Sequence, residues 1–193
     1  MTRIIAGSAG GTVLEVPPKG TRPTSERVRE SVFGALEAAG LLEGARVADL
    51  YAGSGALGLE AASRGAASAD LVEKAPAAAA LIQRNASRVT KALGAPLPIR
   101  THRVGVAQFL RRTEAAFDLV FIDPPYDVAE SELTEALVAL SPRLSADAVV
   151  IVERARRSPA PSWGVAGLEA IRDRSYGDTA MWWGQPRPES QSA

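Results

Sequence analysis

The sequence predicts an α/β protein built on a mostly parallel sheet covered on both faces by helices, with an antiparallel strand at its end. Three observations carry this. From Ala45 onward, apolar strand-like runs alternate with helical patterns through Glu153, the mark of a parallel sheet with crossover helices. A glycine-rich loop joins the first of these strands to its helix at 49–58. The final segment, LEAIRDRSYGDTAMWWG, holds two strand-like runs around Tyr176-Gly177-Asp178 with no helix between them, which reads as a closing hairpin.

The elements follow in order. RIIAGSAGGTVLEVP is two short apolar runs around a Gly-rich turn, a β-hairpin. Thr24 or Ser25 can cap the next helix, Glu26 suits its first turn, and Val28, Val32, Phe33 and Leu36 recur at helical spacing before Gly40. Residues 1–43 form an N-terminal appendage, 44–185 the main domain, and 186–193 a disordered tail. Within the domain ARVADLY, ADLVEK, LPIRTHRV, FDLVFID and DAVVIVE are strands. Between them ALGLEAASRG, PAAAALIQRNASRVTKAL, AQFLRR and SELTEALVAL are helices, the second opening on Pro76, where proline is tolerated. SPAPSWG is a loop.

Composition narrows the chemistry. The 193 residues carry 22 basic and 22 acidic side chains, for a net charge of zero and a pI of about 6.6. This balance does not suit a generic polyanion binder. The distribution is uneven: Arg84 to Arg112 contains no acid, whereas Glu114 to Glu153 contains only Arg143 as a base. There is no cysteine and one histidine, His102, so thiolate chemistry is excluded and no metal site is expected. No signal peptide or membrane-length apolar run is present, and a cytoplasmic location is expected.

Two constellations carry function. In DLYAGSGALG, Gly53, Gly55 and Gly58 have G-x-G-x-x-G spacing between strand and helix, the setting of a nucleotide site at a strand's carboxyl end. Asp49 ends the strand before the loop. A carboxylate there suits an ammonium group better than a pyrophosphate. Glu73 ends the next strand, where an acid takes both ribose hydroxyls. The implied ligand has a ribose and a cationic, amino-acid-like end, which S-adenosylmethionine fits better than NAD. Tyr51, Ser54 and Lys74 flank these positions.

The second is Asp123-Pro124-Pro125-Tyr126 at the end of the fourth strand. The prolines lack N–H groups and fix a rigid turn whose carbonyls point outward; Asp123 adds a carboxylate. Together they accept both hydrogens of an exocyclic NH₂ and expose its lone pair to an electrophilic methyl. Tyr126 can stack on the ring, worth roughly 1–3 kcal/mol per base. Catalysis is then alignment rather than strong-base chemistry.

With these motifs in this order, the chain resembles amino-directed S-adenosylmethionine-dependent methyltransferases. More closely, it resembles the bacterial 16S rRNA guanine-N2 methyltransferases that act on a loop guanine in the small-subunit head. RIIAGSAGG, RPTSERVRESVF, DLYAGSGALGLEAASRGA, VEK, DPPY and YGDTAMWW carry the likeness. It implies a Rossmann-like class I methyltransferase fold of seven strands with the seventh antiparallel. It also implies 16S rRNA in an assembling small subunit as substrate. A monomer is expected. Such enzymes often have an Asp or Asn touching the adenine in the turn after the third strand. Here that turn reads RVGVAQF, so the backbone at Gly105 and Val106 is expected to serve.

The Asp-Pro-Pro-Tyr clamp also fits adenine N6, cytosine N4 and glutamine N5, so other residues must choose the acceptor. Arg22, Thr24, Arg27 and Arg29 at the appendage junction are candidates for phosphate or target contact, as are Arg84 and Arg88 on one face of the second domain helix. The Arg154, Arg156 and Arg157 group after the fifth strand is another. The stretch between Gly58 and Asp123 is filled by strand–helix units, leaving no room for the target-reading domain of a DNA adenine methyltransferase. Asp123 stands where a glutamine methyltransferase typically has Asn. An N6-adenine or other amino methyltransferase on nucleic acid, and a non-catalytic RNA-binding assembly factor, remain as alternatives.

Overall fold

A computed structural model describes residues 1–17, 25–125 and 127–188. The chain opens with a two-stranded antiparallel hairpin, β1 (Thr2–Arg3) and β2 (Val13–Leu14), followed by α1 (Glu26–Ala38). Ser25 is the N-cap of α1, its hydroxyl accepting from the Val28 amide at 3.3 Å. The domain then alternates: β3 (Arg46–Leu50), α2 (Ala56–Ser63), β4 (Ser68–Val72), α3 (Pro76–Leu93), β5 (Ile99–His102), α4 (Val106–Arg112), β6 (Phe117–Ile122), α5 (Glu130–Leu140) and β7 (Leu144–Ala155). β8 (Leu168–Tyr176) and β9 (Thr179–Pro186) close it.

The seven domain strands form one sheet in the order β5-β4-β3-β6-β7-β9-β8. β3 to β7 pair in parallel, and β9 runs antiparallel between β7 and β8. This is the Rossmann-like arrangement the alternation predicts, with the closing hairpin folded inward so that β9 touches β7. The loop predicted at SPAPSWG ends in a short 3-10 turn at Trp163–Ala166 that buries Trp163. β9 continues through Pro186, and Arg187 donates from Nε to the Leu168 carbonyl at 3.2 Å. Ordered structure therefore reaches past the start of the expected tail; residues 189–193 of that tail lie outside the described residues.

Core side chains separate onto the two faces of the sheet. One face packs α4, α5 and Trp163 against Val120, Ile122, Val150 and Val152. The other packs α1 and α2 against Val47, Leu119, Phe121 and Ile151, and continues through α3 and the hairpin residues Ile4, Ala9 and Leu14. Successive strand residues point to opposite faces, so Asp49, two residues after Val47, and Asp123, two after Phe121, belong to the second face. The strand order reverses direction between β3 and β6, and the crevice at that switch point is where ligands bind in such sheets.

The hairpin and α1 are stitched to α2. Buried Glu60 accepts from the Ile5 and Ala6 amides at 2.7 and 3.1 Å. Ser63 accepts from the Ala9 amide and donates to the Ala6 carbonyl. Arg29 donates from Nη2 to Thr2 Oγ1 and the Arg3 carbonyl, both at 2.8 Å.

Candidate functional site

A cavity of about 450 Å³ opens at the carboxyl ends of β3, β4, β6 and β7. Its size suits a nucleoside-sized ligand. The glycine loop forms one wall. Tyr51 sits at φ 66, outside the usual range for a side-chain-bearing residue, and Gly53 and Gly55 follow at φ 57 and 78. Gly55 is the N-cap of α2 and starts the helix without itself lining the cavity. The loop is closed from two sides. Glu73 Oε2 accepts from the Gly53 amide at 3.1 Å while its Oε1 accepts from the Ala75 amide at 2.8 Å. Buried Asn85 on α3 donates to the Ser54 carbonyl at 2.9 Å.

Gly58 brings the helix close to the strand. A Cβ there would lie 2.3 Å from Leu71 Cδ2 and 3.1 Å from Asp49 Cβ. Its amide donates to Asp49 Oδ2 at 2.9 Å. Asp49 is almost wholly buried. Burial pushes its carboxyl up to about 7, with the Gly58 bond opposing and the nearby Glu73 charge adding to the rise. A buried acid facing a cavity and held in this state gains most from a cationic ligand.

The opposite wall carries Asp123, Pro124 and Pro125. The Asp123 amide donates to the Leu50 carbonyl, tying the motif to β3. The expectation that the turn's carbonyls point outward needs correction at one position: Pro125 accepts from the Val128 amide at 3.0 Å. That closes the turn and leaves the acceptor role to Asp123 and Pro124. Val104, Gly105 and Val106, before and at the start of α4, complete the wall beyond Glu73, together with Lys74. Burial pushes the Tyr51 hydroxyl up to about 12, with Glu132 adding and Arg154 opposing.

The structure therefore brings Asp49, Tyr51, Gly53, Ser54, Glu73, Lys74, Gly105, Val106, Asp123, Pro124 and Pro125 into one cavity. Tyr126, Arg22 and Thr24 lie outside the described residues. The arginines behave differently from one another. Arg27 is exposed on the first turn of α1. Arg29 is 1% exposed and engaged by Thr2, Arg3 and Glu60; burial lowers its pKa, and it reaches the cavity rather than the surface. Arg84 and Arg88 both pair with Glu15. Arg154 is buried, bonded to Glu130 and the Val128 carbonyl, where it braces the segment after the Pro-Pro turn. Arg157 is exposed at the cavity rim. Glu153 and Thr179 also line the cavity, and sequence reasoning missed both. For Glu153 the signal exists: it closes the apolar run of DAVVIVE just as Glu73 closes that of ADLVE.

The sequence profile of the family described as "Conserved hypothetical protein 95" matches residues 2–185. The chain belongs to this family. Its relatives include "Ribosomal RNA small subunit methyltransferase D" of Escherichia coli K12, 38% identical over 152 residues, which span 78% of this chain and 73% of that protein. A solved structure of a hypothetical protein from Thermus thermophilus superposes with a TM-score of 0.80 at 31% identity, covering 95% of this chain and 98% of that one. The fold reaches further. Magnesium protoporphyrin IX methyltransferase from Synechocystis PCC 6803, solved with bound SAM, shares it at a TM-score of 0.68 and 16% identity, covering 88% of this chain and 86% of that one. The family's fold is the Rossmann-like class I methyltransferase fold.

Proposed function

We propose that this protein transfers the methyl group of S-adenosylmethionine to the exocyclic N2 of a guanine in small-subunit ribosomal RNA. One observation carries the reading: the buried acid Asp49, the loop-bound carboxylate of Glu73 and the Asp123-Pro124 turn face one nucleoside-sized cavity. Membership of a family whose relatives include a small-subunit rRNA methyltransferase supports the substrate class.

The donor set fits the cofactor. Glu73, its two oxygens already oriented by backbone amides, keeps acceptor capacity for a ribose diol. Asp49 supplies negative charge for the ammonium-bearing end. Val104, Gly105 and Val106 would hold the adenine. When bound, S-adenosylmethionine supplies an electrophilic methyl on a sulfonium. The protein's own work is alignment. The Asp123 carboxylate and the Pro124 carbonyl each accept one hydrogen of the target amino group, which draws the nitrogen toward tetrahedral geometry and aims its lone pair at the methyl. As N2 gains the methyl, Asp123 receives the proton it sheds. Extruding the base costs a few kcal/mol, which stacking on Tyr126 offsets.

The near-zero net charge suits a partly assembled particle, in the cytoplasm, rather than naked RNA. The test is methyl transfer from radiolabelled S-adenosylmethionine to small subunits from cells lacking the gene, followed by digestion to nucleosides. Label in N2-methylguanosine, lost in Asp123→Ala while cofactor binding persists, is the expected result. Label in another nucleoside overturns the guanine assignment. No label, with binding intact, places the protein among RNA-binding assembly factors. Equal rates on free rRNA and on particles overturn the particle preference.

A further inference from the structure

We propose that Glu153 selects guanine by accepting its N1–H while Asp123 and Pro124 hold N2. The inference rests on the guanine-N2 reading above and names the residue that enforces it. The clamp at Asp123-Pro124 recognises only an amino group. Adenine N6 and cytosine N4 offer the same two hydrogens. What distinguishes the three bases is the ring nitrogen next to the amino group on the Watson–Crick edge. In guanine that nitrogen carries a hydrogen; in adenine and cytosine it carries a lone pair. A second carboxylate beside the clamp therefore reads the difference. It accepts from guanine, and it sets two acceptors against each other with the other two bases.

The sheet puts such a carboxylate there. β6 and β7 are adjacent parallel strands, with Ile122 paired to Val152. The next residues, Asp123 just past the end of β6 and Glu153 still within β7, thus stand side by side, with strands about 4.8 Å apart. Both lie two residues beyond members of the same core face, Phe121 and Ile151, and Glu153 pairs in register with Met181 of that face. Both line the cavity. The carboxyl ends of β4, β3, β6 and β7 consequently present Glu73, Asp49, Asp123 and Glu153 in spatial order. The first two serve the cofactor. The last two face the acceptor and match the adjacent N2 and N1 donors of guanine. Glu153 makes and breaks no covalent bond in this scheme.

The experiment uses small subunits reconstituted with 16S rRNA that carries either guanine or 2-aminopurine at the methylated position. 2-Aminopurine keeps the 2-amino group but has an unprotonated N1. Wild type should prefer guanine, and Glu153→Ala should lose on the order of 10- to 100-fold in kcat/KM on guanine with little change on 2-aminopurine. Glu153→Gln, which keeps the side chain's shape, should narrow the preference in the same direction. An equal fall on both substrates, an unchanged rate on guanine, or a wild-type enzyme indifferent to the substitution would each overturn the proposal. If wild type instead labels a nucleoside other than N2-methylguanosine, the underlying reading fails and this one with it. The wild-type product separates that case from a failure of Glu153 alone.

Discussion

The Gly58 amide donates to Asp49 Oδ2 across 2.9 Å, and the same glycine leaves no room for a side chain between α2 and β4. One residue thus fixes how close the helix comes to the strand and how the cavity-lining Asp49 carboxylate is oriented. The two roles separate experimentally.

The carboxylate role shows in pH dependence. Burial raises Asp49 from 3.8 to about 7 in the folded protein. The group's folded pKa lies above its unfolded value, so the unliganded fold binds a proton more readily and loses stability as pH rises from about 4 through 7. A cation in the pocket reverses the preference. The dissociation constant for S-adenosylmethionine should rise as pH falls below 7, by up to about tenfold per unit, with proton release on binding. Calorimetry between about pH 5.5 and 8.5, bracketing that titration, in buffers of different ionisation enthalpy reads both. Asp49→Asn should bind weakly with a flat profile; a flat wild-type profile would remove Asp49 from the ammonium site.

The packing role shows in Gly58→Ala. Helix propensity favours alanine by about 1 kcal/mol. Overpacking against fully buried Leu71 costs about 1–3 kcal/mol and disturbs Asp49 as well. The net is a loss of up to about 2 kcal/mol, so we expect a Tm lower by up to about 8 °C and weaker cofactor binding. A variant more stable than wild type by about 1 kcal/mol, the gain from propensity alone, would show that β4 and α2 can separate at no cost.

Much of this site is legible in the sequence because its signals are local. Asp49, Glu73 and Asp123 each end an apolar strand run, and parallel pairing brings strand ends together whatever the connecting helices do. Glu153 obeys the same rule. Its role needs the strand order, since only the adjacency of β6 and β7 makes it a neighbour of Asp123. Arg29, a candidate for phosphate or target contact, is buried and lines the cavity, for a different reason. It falls at the spacing of Phe33 and Leu36, on the buried face of α1, where a charge requires a partner. That partner, Glu60, is distant in sequence. The pairing of Arg84 and Arg88 with Glu15 likewise depends on where the hairpin docks, which periodicity does not report.

Glu60 is the keystone of that docking. It is fully buried, bonds the Ile5 and Ala6 amides and Arg64 Nε, and lies 3.9 Å from the Arg29 guanidinium. Glu60→Ala leaves Arg29 buried without its countercharge, a loss of about 3–5 kcal/mol. The Tm should fall by at least about 6 °C, and backbone amides of residues 4–12 should exchange faster with deuterium. Unchanged exchange there would mean that apolar packing of Ile4, Ala9 and Leu14 holds the hairpin alone.

The exposed arginines differ in their readiness to meet RNA. Arg84 and Arg88 share Glu15, whose pKa is lowered chiefly by its bond to Arg84, and exposed pairs of this kind contribute little to stability. A phosphate competing for either guanidinium must displace an anion already in place. Arg157 stands at the cavity rim, where a nucleotide entering the cavity would pass it. Each phosphate contact steepens the dependence of log affinity on log salt by about 0.7–0.9. Arg84→Ala with Arg88→Ala should therefore change that slope by less than about one contact in total. Arg157→Ala should reduce it by about one contact and weaken small-subunit binding without altering S-adenosylhomocysteine affinity. Filter binding from about 50 to 200 mM salt distinguishes these. A large slope change in the double variant would show that Glu15 yields its arginines to RNA and that the hairpin side of α3 belongs to the interface.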